Sequence, residues 1–122
     1  MKRLPKGPFY RQAQRKLKLV RLVVCKHFDI TETSLLEKRH TALASISDRA
    51  RLAYICSVAA YYHSALSHRE LSDSFLFPWK LFPGAISGAK TKLNILLKED
   101  MDLKITCEKM DKEIRDILDA EI

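Results

Sequence analysis

The chain has 122 residues, 47% hydrophobic and 30% charged, the composition of one soluble globular domain rather than of a low-complexity or fibrous polymer. Its formal net charge of +7 favours a polyanionic partner. No run of about 18 apolar residues occurs, which excludes a transmembrane segment. Cys25, Cys56 and Cys107 are too widely spaced for a disulfide framework or a CxxC pair, and read as free thiols in a reducing cytosol.

Charge is unevenly distributed. Residues 1–26 hold nine basic residues and no acid, whereas residues 99–122 hold nine acids against four bases. A nucleic-acid surface is therefore expected at the front and middle of the chain, away from the acidic tail. A signal peptide is not expected, because Lys18 and Arg21 interrupt the apolar run around Leu17–Cys25 and no small-residue cleavage site follows. Leu22-Val23-Val24-Cys25 has the outline of a lipoprotein box, but Val24 stands where a small residue is wanted.

In chain order, Met1 to Pro8 carries two prolines and a glycine among bases and reads as a mobile basic arm. Residues 9–122 read as a single domain. From Phe9 to Phe28, Ala13, Leu17, Val20, Val24 and Phe28 mark one face of an amphipathic helix. Arg11, Arg15, Lys18, Arg21 and Lys26 fall largely off that face. Such a helix could lie on phosphates or on a membrane surface, or be a core helix with a solvated basic side. Thr31 can cap a short helix carrying Leu35 and Leu36, which ends near Glu37-Lys38-Arg39-His40. Thr41 to Ile46 reads as a connector. Ser47 can cap a long helix from Asp48 to Ala65, whose small residues make it the expected central helix.

Ser67 and Glu70 form a capping box that starts a short helix at His68. Phe77-Pro78 ends that region, and Pro83 suits the first position of a further helix with Ile86, Ala89, Leu93, Leu96 and Leu97 on one face. A polar break at 99–102 follows, capped by Asp100 or Asp102. The last helix carries Leu103, Cys107, Met110, Ile114, Ile117 and Leu118 on one face, too short for an extended coiled coil. The expected fold is all-α with about six helices. Residues 48–98 have the outline of a helix-turn-helix, and an ordinary bundle of capped helices fits the same pattern.

The order of these elements resembles the C-terminal DNA-binding domain of the bacterial replication initiator DnaA, over about Val24 to Leu118. Glu37-Lys38-Arg39-His40 stands where that family has a Ser-Lys-Arg-Arg-like run, and Arg49-Ala50-Arg51 where it has Arg-Pro-Arg. Leu66-Ser67-His68-Arg69-Glu70-Leu71 resembles its Ser-Leu-Pro-Glu-Ile-Gly, with Phe75 matching its Phe, and Lys90 and Leu93 fit its closing Lys-Ile. By this resemblance Arg49 matches an arginine that enters the minor groove. The chain departs from the family at its base-reading run, Gly-Gly-Arg-Asp-His-Thr-Thr-Val. Leu76 to Ile86 occupies that place, with about three residues inserted and no Asp-His-Thr-Thr. The resemblance therefore implies a DNA-binding domain without the family's origin recognition. No P-loop is present, so ATP-dependent functions are not implied.

On this reading Lys38 and Arg39 contact phosphates. Arg49 and Arg51 meet an external anion, or instead pair with Asp48 or Glu70. His68 and Arg69 flank the start of the short helix. Lys80, Ser87, Lys90 and Lys92 surround the recognition helix, Ser87 near base edges and the lysines on phosphates. Phe77 and Phe82 are expected as core plugs, and Trp79 is either a plug or a contact for a protein partner. Cys25-Lys26-His27 and the pair His63 and His68 do not reach zinc spacing. Ser64, His63 and Asp73 are triad types without triad spacing. The expectation is a cytoplasmic, nucleoid-associated DNA-binding protein of bacterial or phage type. Its partner is double-stranded DNA, with no cofactor, metal, membrane or enzymatic activity, and its role lies in replication or transcription regulation. The alternative is a protein-interaction module docking through the Phe77–Phe82 loop or the last helix.

Overall fold

The helix Ile46–Tyr62 has apolar residues around most of its circumference, and a helix of that kind is stable only when enclosed. The enclosing elements follow from the chain order: α1 (Pro8–Phe28), α2 (Glu32–Leu36), α3 (Ile46–Tyr62), α4 (His68–Ser72), α5 (Gly84–Glu99) and α6 (Met101–Asp119). The computed structural model describes residues 8–37, 46–82 and 84–120, with side chains from Arg11 onward. Among them no strand occurs, and the fold is the expected all-α one. α3 is the hub: it packs against α1, α2, α5 and α6. The basic arm expected over residues 1–8 lies outside the described residues except for Pro8, which opens α1. Lys38, Arg39 and most of the connector after them also lie outside.

α1 buries Ala13, Leu17, Val20, Val24 and Phe28, the face marked by its spacing, together with Cys25. It stops at Asp29, whose φ of 54° is left-handed, a conformation Asp tolerates better than most residues. The N–H of Ile30 then closes onto the carbonyl of Cys25 at 3.1 Å. Thr31 caps α2 as expected, its side chain accepting from the N–H of Ser34.

α3 differs from expectation at both ends. Its first turn reaches back to Ile46, so Ser47 sits inside the helix and does not cap it. At the other end the N–H groups of Ala65 and Leu66 both turn back to the carbonyl of Tyr62, which ends the helix three residues earlier than its pattern suggested. The capping box of α4 is complete: Glu70 N–H donates to Ser67 Oγ at 3.2 Å, and Ser67 N–H donates to Glu70 Oε1 at 3.0 Å.

The segment 73–82 after α4 is a folded loop with its own core. Phe75, Leu76 and Phe77 are buried. Phe77 meets Tyr54 edge-on at 5.5 Å and stacks on Trp79 at 4.6 Å. The Trp79 indole N–H donates to the carbonyl of Leu36 at 2.8 Å, which ties the loop to α2. Phe77 is thus the expected plug. Phe82 is not: its side chain is 79% exposed. The N–H of Leu81 pairs with the carbonyl of Ser72 and its side chain packs inward, whereas the carbonyl of Phe82 accepts from the N–H of Ala85 at the entry to α5 and its ring stays in solvent.

Asp100 caps α6 by accepting from the N–H of Leu103 at 3.1 Å. α6 buries Leu103, Cys107, Met110, Ile114 and Leu118 against the domain. It runs antiparallel to α1, so the first and last helices lie side by side. Lys16 donates to the carbonyl of Leu118 at 2.7 Å, and Lys26 and His27 both reach Glu113.

Candidate nucleic-acid interface

α5 turns Ile86, Ala89 and Leu93 onto α3 and leaves the opposite side to solvent. Ser87, Lys90, Thr91, Asn94 and Lys98 recur at spacings of three and four on the exposed side, with Lys92 further round. No acid occurs in α5 before its last residue, Glu99. The surface therefore combines cations with hydroxyl and amide groups over most of the helix length. Thr91 Oγ1 donates to the carbonyl of Ser87 at 3.3 Å, a bond it can exchange for an outside partner.

α4 approaches this surface at its start. Ser87 Oγ lies 3.3 Å from Nδ1 of His68, so the α4 entrance and the first turns of α5 form one continuous edge. Arg69 is exposed beside it. Lys80, from the loop, is exposed as well. Burial raises the Cys56 thiol to about 11 against a smaller opposing pull from the Lys90 ammonium.

The two arginines of α3 are engaged in contacts within the fold. Arg49 donates to Asp100 Oδ2 at 3.1 Å and clamps the start of α3 to the turn between α5 and α6. Arg51 is more deeply engaged. It reaches Asp48 at 3.0 Å and the carbonyls of Leu35 and Ser34, each at 3.2 Å. Of the two open expectations for these arginines, pairing within the fold describes their contacts. Asp48 was a named partner for the pair; Asp100 was not, because only the folded chain brings it near. Trp79 is half-buried and hydrogen-bonded, an anchor of the loop rather than a free aromatic surface.

Sequence reasoning assembled His68, Arg69, Ser87, Lys90 and Lys92 but missed Thr91, Asn94 and Lys98. The signal was present: 87, 91, 94 and 98 form a helical line complementary to the apolar line 86, 89, 93. It also grouped the basic front of the chain with this surface. Of that front, the described part, α1, is set apart from α5, because each packs on α3 and α6.

A cleft of about 220 Å³ opens between α3, α5 and α6, lined among others by Cys56, Ser57, Cys107 and Asp111. Burial pushes the Cys107 thiol up to about 12. A thiol so shifted is protonated at neutral pH and is a poor nucleophile. Ser57 donates to Asp111 across the cleft, and no histidine lines it. Among the described residues there is no group of three or more His, Cys, Asp or Glu side chains that could hold a metal ion. No helix among them is long and apolar enough to cross a membrane.

Compared with family models, curated proteins and solved structures, the chain matches none. The likeness to the initiator's DNA-binding domain rests on the quoted residues alone.

Proposed function

We propose that this protein binds double-stranded DNA through α5 and the entrance of α4. The observation that carries the reading is the exposed face of α5, free of acid up to Glu99 and flanked by His68 and Arg69. An α-helix fits the major groove, and Asn94 is the type of side chain that pairs with adenine there. Ser87 and Thr91 reach base edges, while Arg69, Lys90 and Lys98 neutralise phosphates and set the register. Lys92 and Lys80 add charge at the sides. Arg49 acts by holding α3 to the α5–α6 turn, which keeps α5 in position. A role in replication or transcription control at the nucleoid follows from such binding, with the likeness to the initiator domain in support.

The test is fluorescence anisotropy with a random-sequence duplex across a salt series. Three phosphate contacts give a log–log slope of about −3. Arg69→Ala should weaken all sequences alike and make the slope shallower by roughly one unit. Asn94→Ala should instead flatten preference between selected and random duplexes. No binding at about 50 mM salt sinks the reading, since several phosphate contacts are readily detected there.

A protein partner is the second reading, and Phe82 favours it. A ring 79% exposed at the approach to α5 is the kind of aromatic that anchors interfaces. If duplex binding fails, Phe82→Ala is the change expected to release a partner.

A further inference from the structure

α1 contains no acid from Pro8 to Phe28. The fold divides its cations into two sets. Lys16, Arg21, Lys26 and His27 face neighbouring helices: Lys16 holds the end of α6, and Arg21 donates to Tyr54 Oη and to the carbonyl of Leu76, each at 3.1 Å. Lys26 and His27 hold Glu113. Arg11, Arg15 and Lys18 form the other set. All three are exposed, they follow one another at spacings of four and three, and none has an ion-pair partner among the described residues. They lie on one line along the outer side of α1. Leu19 and Leu22, each 49% exposed, stand beside them; apolar side chains so placed are ordinary on a protein surface.

This outer line points away from the α5 surface. α1 buries Leu17, Val20 and Val24 towards α3 and α6, and α5 buries Ile86, Ala89 and Leu93 from the other side of the same two helices. α3 and α6 therefore form a layer between α1 and α5, and the two exposed faces look in opposite directions.

We propose that the outer face of α1 is a second duplex-binding surface, built on Arg11, Arg15 and Lys18, so that one molecule holds two DNA segments on opposite sides. This rests on the reading of α5 as the first surface. The argument for DNA as occupant is charge complementarity. The three cations span about 10 Å of helix, over which a duplex presents roughly six phosphates. The two amides of this stretch turn away from the line, Gln14 donating to the carbonyl of Phe75 at 3.3 Å and Gln12 lining a cleft with Tyr61 and Leu118, so this face tracks phosphates without reading bases. The result is a bridging protein with one discriminating side and one indifferent side.

A capture assay tests it. Bead-bound duplex is saturated with protein, and a second, fluorescent random-sequence duplex is added. Wild-type protein should retain the second duplex, with a salt slope of about −3 for the captured strand pair. The triple variant Arg11→Ala, Arg15→Ala, Lys18→Ala should keep its affinity for a single duplex within about twofold and lose capture by at least tenfold. Arg15→Ala alone should lower capture about threefold. These positions are exposed on a helix and alanine favours helix, so melting should be little changed. Capture by the triple variant at the wild-type level overturns the proposal, and would point to bridging by associated copies. Loss of single-duplex affinity in the variant also overturns it, because α1 would then belong to the first surface. Wild-type protein that binds one duplex and captures no second overturns the bridging alone. Wild-type protein that binds no duplex at all overturns the α5 reading as well.

Discussion

Arg51 shows what an arginine in the second turn of a helix does when the surrounding chain supplies its anions. A cation enclosed there needs a counter-charge or acceptor oxygens. Asp48 lies one turn earlier, and the carbonyls of Ser34 and Leu35 cross from the end of α2, so the guanidinium is enclosed with only 14% of its side chain exposed. Removing one partner of a buried pair leaves the other less compensated, which is costlier than losing an exposed pair. Arg51→Ala should therefore lower stability by about 3 kcal/mol in urea melts and leave duplex affinity per folded molecule unchanged. An affinity loss at unchanged stability would instead put Arg51 on the DNA. Arg49 and Arg51 illustrate the limit of reading residues in order. Asp48 is visible as a neighbour in sequence, but the contacts with Asp100 and with the α2 carbonyls exist only once α2, α3 and α6 have docked. The same holds for Trp79, whose acceptor on Leu36 is remote in the chain.

At the level of elements, local rules located most of the helices because their signals are local. The Ser67–Glu70 capping box, the Thr31 and Asp100 caps and the apolar faces of α1, α5 and α6 are all properties of a few adjacent residues. The ends of α3 were misplaced because tertiary docking and the Tyr62 carbonyl, not the pattern, set them. The loop 73–82 was the hardest part to read. The apolar run from Phe75 to Phe82 resembles a run of plugs, and nothing local distinguishes Phe82, which faces out, from Leu81, which is tied to Ser72 and packs inward. α5 carries a further consequence of its composition. Gly88 is helical, has no positive φ, and a β-carbon there would meet nothing within 4 Å. Gly88→Ala should then remove unfolded-state entropy without a clash and stabilise by about 0.4–1 kcal/mol, raising the melting temperature by roughly 2–4 °C. A fall in melting temperature would show that the site is more crowded than its surroundings indicate. Measured on the DNA complex, the same variant reports whether the duplex backbone approaches this glycine closely, in which case affinity falls while stability rises.

Across the whole molecule, the fold is closed by bringing the first and last helices together, and charge is arranged accordingly. Three acids of α6 are engaged with the rest of the fold: Glu113 faces α1, Asp111 takes the Ser57 hydroxyl and Asp119 the Tyr61 hydroxyl. Glu113 is the joint. Hydrogen bonds from Lys26 and from His27 hold its carboxyl below the ordinary value of 4.5, outweighing the opposite pull of burial. A carboxyl with a depressed native pKa contributes stability that is fully present above its unfolded value and is lost as pH falls through the native one. The α1–α6 seam should therefore weaken on the acid side of 4.5 and be insensitive to pH between about 5 and 7 through this group. Because Glu113 is solvent-accessible, its effect should shrink in high salt. Calorimetric melts of the wild type from about pH 6 down to about pH 3, at low and high salt, should show a steeper acid decline at low salt. Glu113→Gln cannot lose a charge it does not carry, so its melting temperature should be lower than wild type at neutral pH and should converge on it in acid. Parallel curves for the two proteins across the whole range would mean that the seam is held by the apolar contacts of Leu17, Val20 and Val24 and by the Lys16 cap, with the Glu113 cluster contributing nothing measurable.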